Sequence, residues 1–233
     1  MTAFIFSPKP PVGIPVMGSA KLFPARRIYC IGRNYAAHAR EMGGNPDREP
    51  PFFFMKPGDA VQVVHNSKLA KHSYPPGTSD YHHELELVAV LRKGGRDITK
   101  EAALDHVFGY AVGLDMTRRD RQSEAKKLQR PWEIGKSGEN SAVVGPITPR
   151  GRAGNILASR MELIVNGAVR QKASVADMIW SLEEQIAILS QYFTLCPGDM
   201  IMTGTPEGVN SVVRGDVMEG CIGALSPIRL KVV

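Results

Sequence analysis

At 233 residues, 43% hydrophobic and 22% charged, the chain has the length to bury a full core and the composition of an ordinary globular protein, which excludes disordered and fibrous classes. No apolar run approaches the roughly 20 residues that span a bilayer, and MTAFIFSPKPPVGIPV has no basic stretch followed by an apolar one, so neither a membrane partner nor a secretory signal is expected. The net charge of +6 leaves nucleic acid or small anionic substrates as partners, and three cysteines without a CxxC pair suit a reducing cytoplasm.

Residues 1–25 carry Pro8, Pro10, Pro11, Pro15 and Pro24 and are expected to run extended over the surface or across a partner subunit. Residues 26–233 read as one domain. RRIYCIG is a short strand, and NYAAHAREMGG a short helix capped by Asn34 and stopped by Gly43 and Gly44. The polar loop NPDREPP follows, so helix and loop together, from about Ala36 to Arg48, can form a mobile segment. Strand patterns then dominate: FFFMK, AVQVV, ELELVAVL, FGYAVGLD, SAVVGPI, MELIVNG, DMIMTG and PIRLKVV, separated by Gly/Pro turns. Two more helices stand out. One is basic and follows Asp115, with Thr117 and Asp120 as a cap-like pair. The other, SLEEQIAILSQYF, has a Ser181–Glu184 capping box and a stripe of Ile186, Leu189 and Phe193. The expected fold class is α+β, mainly β, with a few short helices.

YHHELELVAV concentrates the chemistry. Leu85, Leu87 and Ala89 share one face of a strand, while Glu84, Glu86, Val88 and Val90 share the other. Alternation alone also fits the wet edge of a half-buried sheet. The valines make the second face an apolar one, however, and two carboxylates there each need a cation or a proton. Asp115 ends the apolar run Tyr110–Leu114, where a strand delivers a side chain to a cleft or a cap to a helix. If Thr117 starts the next helix, Arg119 and Gln122 lie three apart on one face, an arrangement suited to gripping a carboxylate or carbonyl. Glu84, Glu86 and Asp115 form an all-oxygen set suited to a hard dication, Mg²⁺, Mn²⁺ or Ca²⁺. His82 and His83 lack the spacing and sulfur ligands of a zinc site, and His83 reads as a loop or supporting histidine.

Six separated motifs resemble the fumarylacetoacetate hydrolase family, in the family's order, over nearly all of the chain from residue 26. They are GRNYAAHAREMG, FFFMKP, HHELEL, GLDMTRRDRQ, PWEIGKS and PGDMIMTGTPEGV. The resemblance implies a mixed β-sandwich roll and a homodimer, with metal carboxylates at Glu84, Glu86 and Asp115 and Mg²⁺ as the first candidate ion. It places a His/Glu dyad at His38 and Glu41, on a short helix that orders over substrate. It puts the catalytic lysine at Lys136, substrate-binding groups at Arg119 and Gln122, and a substrate-facing hydroxyl at Thr205. The implied activity is hydrolysis of the C–C bond of a 2,4-dioxo acid, and the likeness is greatest to bacterial members that cleave 3-fumarylpyruvate in gentisate breakdown. Acylpyruvase, oxaloacetate decarboxylase and hydroxymuconate isomerase are the alternatives within the family. Outside it stands a nucleic-acid-binding module built on Arg118–Arg130; that run has no aromatic residue to stack on bases, so no nucleic-acid partner is expected.

Overall fold

The computed structural model describes residues 4–41, 49–65 and 69–233. At its centre is the strand Leu85–Leu91, every residue of which is buried. The alternation in the sequence explains this. Leu85, Leu87, Ala89 and Leu91 join one apolar cluster, and Val88 and Val90 join a second on the opposite side. The strand pairs antiparallel with Val107–Asp115 and with Met200–Met202. The sheet they form runs in the order Phe53–Pro57, Arg27–Ile31, Met200–Met202, Leu85–Leu91, Val107–Asp115, Ala142–Val144, Val61–Val63, with Thr148–Pro149 added beside Val107–Asp115. Two of its pairings are parallel, Met200–Met202 with Arg27–Ile31 and Ala142–Val144 with Val61–Val63.

A second sheet, ordered Ala168–Ser174, Arg160–Val165, Val217–Ile222, Ile228–Val232, Ala70–His72, covers the first cluster. Its alternate residues Met161, Leu163 and Val165 pack there, together with Leu230 and Val232. A small third sheet joins Thr117–Arg118, Tyr81–His82 and Ser211–Val212. The fold is α+β, mainly β, its strands curled into a mixed sandwich roll. Near the N-terminus, Gly13–Pro15 pairs with Leu22–Pro24, and Ile14 and Phe23 from this ribbon are buried in the second cluster.

The helices are Ala36–Glu41, Arg119–Lys127, Glu133–Lys136 and Leu182–Tyr192. The Ser181–Glu184 capping box is present, and Leu182, Ile186 and Leu189 face the first cluster. Phe193 lies just past the helix end in extended backbone and still packs on Tyr29, ring centroids 5.2 Å apart. Two local expectations need correction. Asn34 does not cap the first helix: it is fully buried, its amide donates to Trp180 O and Thr203 O, and its oxygen accepts from Trp180 N. Thr117 is a strand residue whose hydroxyl donates to Asp115 O, and Asp120 accepts from Thr78 instead of closing a box. Distant buried partners claim the Asn34 side chain, and pairing of Thr117 with His82 in a strand removes it from the helix start. Glu133–Lys136 is too short to show a helical period in sequence. Residues 42–48, which include Gly43, Gly44 and the end of the expected mobile segment at Arg48, lie outside the described residues.

Candidate metal centre and active site

Glu84 precedes the central strand, Glu86 lies one residue inside it, and Asp115 ends the neighbouring strand. The register aligns Glu86 with Gly113, and Asp115 N donates to Glu84 O at 2.9 Å. A side chain at Gly113 would come within 2.5 Å of Val88 Cγ2, so glycine keeps this face closed beneath the carboxylates. One oxygen from each of the three carboxylates lies within 4.8 Å of the others, and all three residues are buried.

The surrounding charges are arranged unevenly. Lys136 Nζ donates to Glu84 Oε2 at 2.7 Å and to Asp115 Oδ2 at 2.8 Å. Lys56 Nζ lies 2.8 Å from Asp115 Oδ1, and Arg119 Nη2 pairs with Glu84 Oε1. Among the described residues Glu86 Oε2 receives only a backbone bond, from Gly204 N at 2.8 Å. Gly204 has φ +96° and sits so close to Asn34 that a side chain would clash, so this donor position calls for glycine. Burial alone would raise the Glu84 carboxyl, yet Lys136 and Arg119 hold it far below the usual carboxylate range. Burial, with Asp115 and Glu84 alongside, pushes the Glu86 carboxyl well up instead. Burial would likewise lower Lys136, but Asp115 and Glu84 raise it. An all-oxygen set with one carboxyl that lacks a cationic partner among the described residues fits a hard divalent cation.

The helix Ala36–Glu41 brings His38 Nδ1 to 3.2 Å from Glu41 Oε2. Burial lowers the His38 imidazole below its ordinary value, against the pull of Glu84 and Glu41. His38, Glu84, Glu86, Lys136 and Thr205 line one cleft. Thr205 Oγ1 accepts from Gln171 Nε2 at 2.8 Å. Arg119 and Gln122 are buried behind Glu84, where Arg119 Nη1 donates to Gln122 Oε1 at 2.5 Å and Nε to His82 Nδ1 at 3.3 Å. Arg119 thus braces Glu84 in this arrangement. His83 stands apart from the carboxylates, its Nδ1 3.0 Å from Gln171 Oε1.

Two residues at the site carry no sequence signal of their own, and a third only a faint one. Lys56 lies in an aromatic strand and is completely buried against Asp115. Gln171, in the second sheet, ties together Thr205, Pro206 O, Leu85 N and His83. Lys126 belongs to a run that resembles a solvated helix face, yet it lines the cleft. A lysine inside a strand of aromatic residues is the one local oddity that points to Lys56.

Comparison with known proteins agrees with this geometry. The sequence profile of the family described as "Fumarylacetoacetate (FAA) hydrolase C-terminal" matches residues 27–233. A fumarylpyruvate hydrolase of a Ralstonia species is 44% identical over 184 residues, 79% of this chain and 93% of that protein. The mouse protein named oxaloacetate tautomerase FAHD1, mitochondrial, is 39% identical over 207 residues, covering 89% of this chain and 91% of the relative. A crystal structure of fumarylpyruvate hydrolase from Pseudomonas aeruginosa, in complex with Mn²⁺ and pyruvate, superposes with a TM-score of 0.97 at 50% identity over 99% of both chains. Profile, relatives and fold agree, and the chain belongs to the fumarylacetoacetate hydrolase family.

Proposed function

We propose that this protein is a metal-dependent hydrolase that cleaves the C–C bond of 3-fumarylpyruvate, a 2,4-dioxo acid, to fumarate and pyruvate in aromatic-compound breakdown in the cytoplasm. The observation that carries the reading is the His38–Glu41 pair, whose histidine lines the same cleft as Glu84 and Glu86. A base beside a cation-binding carboxylate set is what water-dependent cleavage next to a carbonyl requires. The 50% identity to the P. aeruginosa enzyme supports the same substrate. The active form is proposed to be a homodimer, with Mg²⁺ as the working ion.

Glu84, Glu86 and Asp115 would hold the cation, which when bound supplies a Lewis acid for the carboxylate and 2-oxo oxygens of the substrate. Glu41 takes a proton from the attacking water. Burial keeps His38 neutral, so its Nδ1–H donates to Glu41 Oε2 and holds that carboxylate in place; this tautomer follows from the hydrogen bond. Gly208 N, 3.4 Å from Glu41 Oε1, adds a second, longer contact. Attack at the 4-carbonyl places negative charge on its oxygen. Two of the three Lys136 N–H groups are taken by Glu84 and Asp115, which leaves the third for that oxyanion. The C3–C4 bond then breaks. Its electron pair stays on the pyruvate half as an enolate, which is protonated at C3, and the acyl half leaves as fumarate. Arg119 and Gln122 contribute by fixing Glu84, and Thr205, held by Gln171, presents its hydroxyl to the substrate.

A second reading is oxaloacetate tautomerisation or decarboxylation, favoured by the 39% identity to the mouse protein. Neither reaction consumes water, so one variant separates the readings. Glu41→Gln should reduce fumarylpyruvate cleavage by about 10²–10⁴-fold, the range for a lost acid/base group, while any oxaloacetate turnover falls much less. Equal losses on both substrates would assign Glu41 to binding, and no loss would remove it from the mechanism.

A further inference from the structure

The three buried carboxylates are matched by Lys56, Lys136 and Arg119, each in direct contact with Glu84 or Asp115. Two further cations line the same cleft, Arg33 and Lys126, and they are surplus to that balance. Arg33 Nε is buried and has no hydrogen-bond partner. No carboxylate of the described residues lies within ion-pair distance of either side chain. Each cation stands over an aromatic ring: the Arg33 guanidinium is 5.9 Å from the centroid of Phe52, and Lys126 Nζ is 5.1 Å from that of Trp132. The two rings meet edge to face, centroids 5.3 Å apart at 87°. They form one wall bearing two positive charges. Burial, followed by the repulsion of Arg119 and Arg33, pushes the Lys126 ammonium down to about 8.

Arg33 also has backbone φ of 55°. The left-handed region is unfavourable for a residue with a side chain, and such strain persists where the surroundings hold the residue in place. Ring faces attract these cations but accept none of their N–H bonds in the plane of the guanidinium. Two like charges, half-buried and without a carboxylate, are a site prepared for an anion from outside. The cleft therefore carries two kinds of lining: Glu84 and Glu86 with His38 and Thr205, and an aromatic, positive wall of Phe52, Trp132, Arg33 and Lys126, suited to a planar conjugated chain that ends in a carboxylate.

We propose that Arg33 and Lys126 bind the terminal carboxylate of the acyl half of the substrate, so that the enzyme selects dianionic acylpyruvates over those ending in a methyl group. This rests on the hydrolytic reading above and narrows its substrate class. The test uses the purified full chain with saturating Mg²⁺ and compares wild type with Lys126→Met, Lys126→Arg and Arg33→Asn, asparagine being tolerant of positive φ. The first readout is kcat/KM on fumarylpyruvate against acetylpyruvate. A lost hydrogen-bonded charge pair should lower that preference by about ten- to hundredfold in Lys126→Met and in Arg33→Asn, with most of it kept by Lys126→Arg. The second readout is binding of fumarate against crotonate, which differ only in a terminal carboxylate or methyl, and wild type should prefer fumarate by a similar factor. A preference altered less than threefold by Lys126→Met overturns the assignment of Lys126, and Lys126 is half-buried on a helix where methionine is accommodated. Wild type that binds fumarate no better than crotonate overturns the whole proposal. Cleavage of neither dioxo acid by wild type would instead overturn the hydrolytic reading, while the binding comparison still judges the two cations.

Discussion

Replacing Lys56 by methionine keeps the length of a fully buried side chain and removes its charge. Lys56 Nζ lies 2.8 Å from Asp115 Oδ1, with the two side chains 0% and 1% exposed. It also donates to Met116 O at 3.2 Å and to Lys136 O. Breaking a buried pair by removing one partner costs about 3–5 kcal/mol, because the remaining charge is left desolvated. Asp115 retains Lys136 at 2.8 Å, which places the expected loss at the low end, about 3 kcal/mol. For a chain of this size each kcal/mol moves Tm by about 2–4 °C, so Lys56→Met should melt about 6–12 °C lower. Urea unfolding in the presence of EDTA, at one protein concentration and neutral pH, measures the free energy directly. Saturating Mg²⁺ should then stabilise the variant more than wild type, because Asp115 faces less positive charge. A loss below about 1 kcal/mol would show that Asp115 does not depend on Lys56 and would refute this account of the cluster's charge balance.

Glu84→Ala and Glu86→Ala should both abolish hydrolysis and divalent-cation binding in calorimetric titration with Mn²⁺; retained binding in either would dismiss the three-carboxylate site. The two should part in the metal-free state. Glu84→Ala leaves Arg119 without its carboxylate and takes one of two from Lys136, which lowers Tm, whereas Glu86→Ala removes a buried carboxyl with no cationic partner among the described residues and does not. The His38 imidazole lies below its ordinary 6.5, so the base form persists into mild acid, and the acidic limb of kcat/KM for fumarylpyruvate should fall below pH 6.5. A limb above neutrality would show that another group controls it. Burial lowers His72 to about 4, and its ring nitrogens are engaged by Gln62 and Tyr81. The unfolded chain therefore binds the extra proton between pH 6.5 and 4, and His72 should contribute a loss of about 3 kcal/mol as pH falls through that window, with His83, also lowered to about 4 by burial, adding to it. Denaturant titrations across this range should show the slope in wild type and a weaker one in His72→Gln.

The alternation from Glu84 to Val90 was enough to place both glutamates on a buried face, because side-chain period in a strand is a local property. The six motifs in order were likewise enough for the family, and the resemblance pointed to His38, Glu41, Asp115, Lys136 and Thr205 as candidate site positions. The structure brings the carboxylate oxygens within 4.8 Å and sets His38 beside Glu41. Other features were illegible for an equally physical reason. Asn34 and Thr117 look like helix caps because capping rules see a few residues, while the Asn34 amide answers to Trp180 and Thr203 and Thr117 is drawn into a strand paired with His82. Arg119 shares a helix face with Gln122, as their spacing implied, and its guanidinium also pairs with Glu84, a contact that spacing along the helix cannot show. The compensation of Glu84 and Asp115 is a sum over Lys56, Arg119 and Lys136, which come from one strand and two helices. The surplus of Arg33 and Lys126 emerges only after that sum is taken. Electrostatic balance in a buried site depends on distances between segments far apart in the chain, and those distances exist only once the sheets have closed around it.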